Sequence, residues 1–421
     1  MKTKFAILLS TTSLLHAGAP ELGPTPMPKP EPWIKPLIDI RVRYEYADID
    51  AKDQSNALTF RERLGFKTKK WNGFSALVEG EFTQVAVSDY NANAGPDAFP
   101  YDPNNSAIAD PRNAELNQAI LGYDGFDTTL KLGRQKIVYD NAAFIGNVGW
   151  RQNEQTYDAI SLTNKSIDGL TFNYAYIDQV NRIFGAEADS PLTTTPLFDN
   201  VQDISSSINA INASYTGIKG VTLGAYAYLM QFEDKENWEN NTFGMSVKGD
   251  VFGVTLYGEL AWQDQAGFNT DQDAFYSHFV ASKTLWKQTF ALSVETLGAG
   301  FKTPLATIHA FNGYSDVFVG GRTEGNHNGL TDISFSHTIP LFWGLKWTNV
   351  FHAFGDNDIS TNYGWEYDSV LVKKFNDTFS ALAKFAIFES EGDPYITKQF
   401  NKKQVGLPDT TRFSVQLDYT F

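Results

Sequence analysis

The side chains with the most chemistry to offer are arginines set in pairs. "IDIRVRYEY" places Arg41 and Arg43 two residues apart, "TFRERLGF" repeats the spacing with Arg61 and Arg63, and Arg412 precedes the closing "FSVQLDYTF". A guanidinium stays charged at any working pH and presents a planar fork of donors that fits a carboxylate or a phosphate. On a strand, a spacing of two puts both members of a pair on one face. Carboxylates are interleaved with them: Asp39 and Glu45, Glu79 and Glu81, and Asp418. Two chemistries fit this pattern. The arginines form an anion-attracting wall, or the acids neutralise them through paired hydrogen bonds and the wall is a brace. Glu62 sits between Arg61 and Arg63 and breaks the alternation, which predicts either a bulge there or a carboxylate on the opposite face.

No catalytic set accompanies these residues. The chain has no cysteine, which removes disulfides and thiolate metal sites. Five histidines follow the N-terminal segment (His278, His309, His327, His337, His352), and none stands in a Ser/His/Asp spacing. No phosphate-binding loop, metal-ligand cluster or nucleic-acid patch is present. The chain reads as a non-enzyme without a cofactor. A barrel enzyme assembled from distant strands and a surface-binding adhesin are the competing classes. Acidic residues crowd the longer connections, among them Asp89, Asp97, Asp102, Asp110, Glu187, Asp189, Glu324 and Asp393. A solvated acidic surface is the first reading of these, and a loop-bound Ca²⁺ or Mg²⁺ the second.

The elements that position the arginines follow from periodicity. In "IDIRVRYEY", Ile38, Ile40, Val42, Tyr44 and Tyr46 alternate with Asp39, Arg41, Arg43 and Glu45. One face meets core or lipid; the other meets water or a polar lumen. Recurrence decides between the two. Eighteen strands are predicted, at roughly 37–47, 57–68, 74–87, 114–124, 128–135, 155–163, 169–179, 206–216, 221–232, 241–249, 251–262, 273–284, 289–301, 330–338, 342–354, 363–374, 379–389 and 410–421. Connections after even-numbered strands are short, such as "GFD" and "FND". Those after odd-numbered strands are longer, and five are long: 88–113, 136–154, 180–205, 302–329 and 390–409. Short turns at one rim and long loops at the other describe an outer-membrane barrel. Aromatics make up 14 % and charged residues only 20 %, with no helix-length apolar span beyond the N-terminus.

The predicted architecture is therefore all-β: a transmembrane antiparallel barrel of about eighteen strands, with long extracellular loops and short periplasmic turns. Residues 1–19 read as a signal peptide cleaved near 17–19, residues 20–36 as a proline-rich periplasmic tether, and residues 37–421 as the barrel. Loss of Lys2 and Lys4 with the leader moves the formal charge from −15 to about −17. The expected place is the outer membrane of a Gram-negative bacterium, against lipid and lipopolysaccharide, as a monomer. A barrel of this size is roughly 35 Å across and holds an aqueous channel unless loops fold in. The turn-rich stretch 88–113 either constricts that channel or lies on the surface. The last strand alternates Phe413, Val415, Leu417, Tyr419 and Phe421 with polar residues. It must close against the first, so Arg41, Arg43, Arg61, Arg63 and Arg412 fall on neighbouring strands. Its aromatic end resembles the signature read by the barrel-assembly machinery.

One block carries a more specific likeness. "LGRQKIVYDNAAFIGNVGWRQNEQTYDAISL", residues 132–162, resembles the alginate export family of outer-membrane porins in its Gly133-Arg134-Gln135 step, its Asn147 to Gln152 loop, and Tyr157-Asp158-Ala159 opening the next strand. The paired arginines and the count of eighteen strands resemble that family as well. The resemblance implies an electropositive pore passing an anionic oligo- or polysaccharide, with Arg134, Arg151 and Asp158 joining Arg41, Arg43, Arg61, Arg63, Arg412, Glu79 and Glu81 as lining residues. A general or small-carboxylate diffusion porin is the alternative.

Overall fold

The computed structural model describes residues 32–185, 188, 203–233, 235–264, 273–392, 394–397 and 404–421. The leader, most of the tether and the acidic positions Glu187, Asp189 and Asp393 lie outside these. The strands are β1 (Ile34–Ile49), β2 (Ser55–Thr68), β3 (Phe74–Asp89), β4 (Asn113–Gly125), β5 (Thr128–Gln135), β6 (Thr156–Asn164), β7 (Leu170–Asn181), β8 (Ile204–Tyr215), β9 (Val221–Phe232), β10 (Asn240–Val251), β11 (Val254–Asp264), β12 (Ala274–Leu285), β13 (Gln288–Leu297), β14 (Leu330–Pro340), β15 (Leu345–Gly355), β16 (Asn362–Lys374), β17 (Phe379–Ser390), β18 (Tyr395–Thr397), β19 (Gln404–Gly406) and β20 (Thr410–Thr420). Eighteen of them close into one antiparallel barrel; β18 and β19 form a small ribbon inside the last loop.

Closure runs through β20, which pairs with β17 on one side and β1 on the other, from Asp39↔Thr420 to Ile49↔Thr410. Phe421 completes the seam, its N–H donating to Ile38 O at 2.8 Å. From Ile38 onward closure pairs β1 on both sides, the condition for spanning lipid with strands. β1 starts at Ile34, so Pro36, expected in the tether, is a strand residue opposite Phe66. Residues 34–37 have β2 as their only strand neighbour, and a missing N–H is tolerated on the open side. β13 ends at Leu297, four residues early, because Phe301 turns into the lumen and is buried there. β15 starts three residues late, after a tight turn in which Trp343 takes φ 56°.

Periplasmic turns are as short as two residues. Phe126–Asp127, Phe252–Gly253 and Trp286–Lys287 each have two successive positive φ values, between 50° and 72°. That geometry follows the right-handed twist of the flanking strands. It also throws Phe126, Phe252 and Trp286 almost fully into the surroundings, where an aromatic ring suits the membrane interface. The outer wall is apolar and exposed, with Leu121, Met245, Phe275 and Leu292 as examples.

The hydrophobic core sits inside the barrel. Loops 90–112, 136–155 and 298–329 fold inward, burying Ile108, Phe144, Ile145, Phe301, Leu305 and Phe318. Phe144 packs on Tyr226 and Tyr276 at ring separations of 5.1 and 5.3 Å, and Phe318 on Phe354 at 4.6 Å. On these strands the lumenal face is aromatic, because loop side chains cover it. Gly244 is required there: the Tyr226 ring occupies the space a Cβ would need. The lumen thus has two halves, a packed aromatic half along β8–β13 and a charged half along β1, β2, β3 and β20.

Candidate functional site

Strand register assembles the charged half. Arg41 stands opposite Arg61 on β2 and Asp418 on β20, while Asp39 stands opposite Arg63. Arg43 faces Gln416, and Arg412 lies opposite Ala47, two residues from Glu45. All of these side chains point inward. Glu62 points outward with the register unbroken, opposite Ile40 and Phe82, so it is the opposite-face reading that holds there and no bulge forms.

The inward loops dock on this wall. Arg41 donates through Nε to Asp418 at 2.8 Å and through Nη1 to three successive carbonyls, Gly149, Trp150 and Arg151, at 3.0–3.2 Å. Arg43 is fully buried; it donates to Gln416 at 2.7 Å, to Asp110 at 3.2 Å and to the Trp150 carbonyl, and its guanidinium lies 4.0 Å over the Trp150 ring. Arg61 is paired with Asp39, and Arg63 with Glu81 and, at 3.3 Å, with Glu154. Arg412 donates to the carbonyls of Ser315 and Ala107 at 3.0 Å. Glu81 also accepts the Glu154 backbone N–H at 3.0 Å, and Glu79 binds Asn117 and Gln118. Arg151, reaching in from its loop, is held by Glu45 and Asp316 at 3.1 Å. Burial works against the Arg151 cation, but Glu45, Asp110 and Asp316 hold its guanidinium above its ordinary value.

Each arginine of the inner wall therefore has an acid or a loop carbonyl against it. This is the brace arrangement, and it fixes the 149–154 strap to β1, β2 and β3. It leaves water-facing cations elsewhere. Lys35 and Lys67, directly opposite each other on the inward faces of β1 and β2, are exposed at the periplasmic end. Lys131, inward on β5, is exposed too.

Arg134 and Asp158 are not lumenal. They share the face of Leu132 and Ile160, both more than half exposed on the outer wall. There they form a two-point pair at 2.8 and 2.9 Å. The period-two phase of β5 and β6 agrees with this, setting Arg134 with Leu132 and Asp158 with Ile160; it was the resemblance of residues 132–162, not alternation, that put them in the lumen. Among the described residues no group of three His, Asp or Glu side chains is arranged to hold a metal ion. Asp110, counted with the surface acids, is instead buried between Arg43 and the Gln152 N–H.

Several members of the site were missed in the sequence. Lys384, inward on β17, donates to His309 Nε2 at 2.8 Å and lies 3.6 Å over the Trp150 ring. His309 stacks on Trp150 at 4.5 Å and donates from Nδ1 to Asp316 at 2.8 Å. Burial pushes His309 down to about 3, and Lys384 beside it works in the same direction against Asp316. The opposite wall holds the 298–329 loop by acids: Arg322 forks onto Glu295 at 2.9 and 3.0 Å, and the Ser315 N–H donates to Glu366 at 2.7 Å. The two-residue phase of β17 is the signal that could have found Lys384; no local signal marks the loop residues.

No protein-family profile and no curated protein sequence matches the chain. Solved structures do. Acinetobacter baumannii OccAB4 superposes with a TM-score of 0.65 at 13 % identity, covering 94 % of this chain and all of that one. Pseudomonas aeruginosa OpdK with vanillate gives 0.62 at 14 %, covering 92 % and 98 %. P. aeruginosa OccK9 (OpdG) gives 0.63 at 13 %, with the same coverage. The fold is that of an outer-membrane porin. It places the chain in the bacterial outer membrane, in agreement with the apolar outer wall. The neighbours are of the Occ/OpdK type, a porin family distinct from alginate export, and this overturns the resemblance drawn from residues 132–162. The geometry agrees: of that block's proposed lining residues, Arg134 and Asp158 face outward and Arg151 anchors a loop.

Proposed function

We propose that this chain is a passive, non-catalytic porin for small anionic solutes, with small carboxylates as its cargo class. The observation that carries this reading is the set of water-facing cations on the inward wall. Lys35 and Lys67 stand opposite each other at the periplasmic end of β1 and β2, and Lys131 on β5 is exposed as well, whereas Arg61 and Arg63 are buried against Asp39, Glu81 and Glu154. Like charges placed directly opposite destabilise a strand pair, so the arrangement costs stability and is explained by what it attracts. Low-dielectric walls focus the field of these groups into the lumen. A fold neighbour solved with vanillate, a small aromatic carboxylate, supports the same class. Three loops folded into the lumen favour small solutes over a polymer.

Proteoliposome flux tests the proposal with three solutes of one size: benzoate, benzyl alcohol and benzylamine. Benzoate is expected to enter fastest, and Lys35→Gln with Lys67→Gln to narrow its lead. Equal rates for the three, or benzylamine fastest, contradict the assignment.

A further inference from the structure

Glu62 is a carboxylate on the wrong side of the wall. Along the outward face of β2 it is flanked by Leu58 and Phe60 toward the extracellular end and by Leu64 and Phe66 toward the periplasm, the last two more than 40 % exposed. Across the strand it faces Ile40 and Phe82. Two residues beyond Phe82, on the same outward face of β3, stands Gln84. Neither side chain has a partner among the described residues, and Gln84 is exposed. A charged or amide group left bare against hydrocarbon costs free energy and is retained where something satisfies it.

We propose that this patch is a two-fold interface between copies of this chain in the membrane, with Glu62 of each copy accepting a hydrogen bond from the Gln84 amide of the other. The patch is self-complementary. It holds one acceptor and one donor side by side, as an isologous contact requires, where residue i meets residue j and j meets i. Beside it the Phe82 ring lies over Gly80, and outward Ala114 on β4, opposite Phe82, presents only a methyl group to the partner wall. A monomer, the state expected from the sequence, leaves four polar sites per pair of molecules facing lipid. Two copies satisfy all four with no new charge. A lipid does not offer this match, since acyl chains carry neither donor nor acceptor at that position.

The absence of cysteine makes the test direct. Phe82→Cys is placed in the proposed contact and Leu292→Cys on the outward face of β13, away from it. Full-length protein in native outer membranes is treated with a short bismaleimide, and gel heat-modifiability reports that each barrel is folded. A crosslinked dimer is expected from Phe82→Cys and not from Leu292→Cys, with at least a fivefold loss of the dimer when Glu62→Leu and Gln84→Leu are added. No dimer from Phe82→Cys, equal crosslinking at the two positions, a dimer that survives the leucine pair, or products larger than a dimer would each overturn the proposal.

Discussion

Replacing Arg43 with methionine should free the 149–154 strap while leaving the barrel intact. Arg43 is fully buried and bonds Gln416, Asp110 and the Trp150 carbonyl, with the indole stacked on its guanidinium. Removing one partner of a buried pair costs about 3–5 kcal/mol, and here it leaves Asp110 with only the Gln152 N–H and, at 3.8 Å, Arg151, both of the strap itself. The barrel does not bear that cost, because its strands are held by a closed backbone ladder that the substitution leaves complete. The strap bears it, since its hold on the wall runs through Arg41, Arg43 and the Arg63–Glu154 pair. At about 1.4 kcal/mol per tenfold, local opening of residues 149–154 should become roughly 10²–10⁴ times more frequent. Hydrogen exchange followed by mass spectrometry reads this as faster exchange of the Gln152 and Glu154 amides. Arg134→Met is the control, because Arg134 sits on the outer wall and touches no strap residue. Acceleration below threefold in the Arg43 variant, or equal acceleration in the control, would refute the reasoning that the arginines act as the strap's anchor.

Three further outcomes follow from particular residues. Cysteine at Asp358, exposed in the loop between β15 and β16, should label from outside intact cells, and cysteine at Asn376 in a periplasmic turn should not; reversed labelling would invert the topology. Asn312 is unsuitable for this purpose although its loop is extracellular, because it is buried in the lumen at Glu295. Phe421→Ser should lower the amount of assembled protein more than the stability of folded barrel, since one interfacial aromatic contributes about 1–2 kcal/mol by area; normal outer-membrane levels would count against a recognition role. Acidification should loosen the 298–329 loop: His309 is neutral when docked, with a pKa near 3, and takes up a proton more readily when undocked, so its contribution is complete above pH about 6.5 and falls by about 1.4 kcal/mol per unit below that. The protection factors of residues 305–316, taken against the intrinsic exchange rate at each pH, should fall from pH 6.5 to pH 5, and His309→Gln should flatten that fall.

The barrel was legible because its constraint is local and repeated. A strand between lipid and lumen must alternate, and two rims with different loop lengths mark each hairpin, so β5 and β9 were read to the residue. The reading failed where a side chain answers to something distant. Phe301 looks like strand, yet it belongs to a lumenal core built from loops. Arg134 and Asp158 were read as lumenal from the likeness of one block to a family, although their own phase, with Leu132 and Ile160, sets them on the outer wall. The arginine wall was visible on β1, β2 and β20 as a row of charges, and the acids that answer it were visible too. What occupies the wall was not, because Trp150, His309 and Asp316 reach it from loops whose path depends on the whole lumen. The alginate-type likeness rested on one 30-residue block, and the solved structures of similar fold point elsewhere.

The central claim is an anion-preferring lumen inside a protein whose net charge is strongly negative. The two coexist because the Debye length at physiological salt is about 8 Å, so acids on exposed loops barely reach the inward cations of β1 and β2. The reversal potential of single channels in a planar bilayer under a potassium chloride gradient tests this most directly. Wild type should pass chloride in preference to potassium, and Lys35→Glu with Lys67→Glu should shift the potential toward potassium in a barrel that still shows heat-modifiability. A cation-selective wild type, or a potential that the two lysines do not move, would contradict the account and leave the inward charges with a bracing role alone.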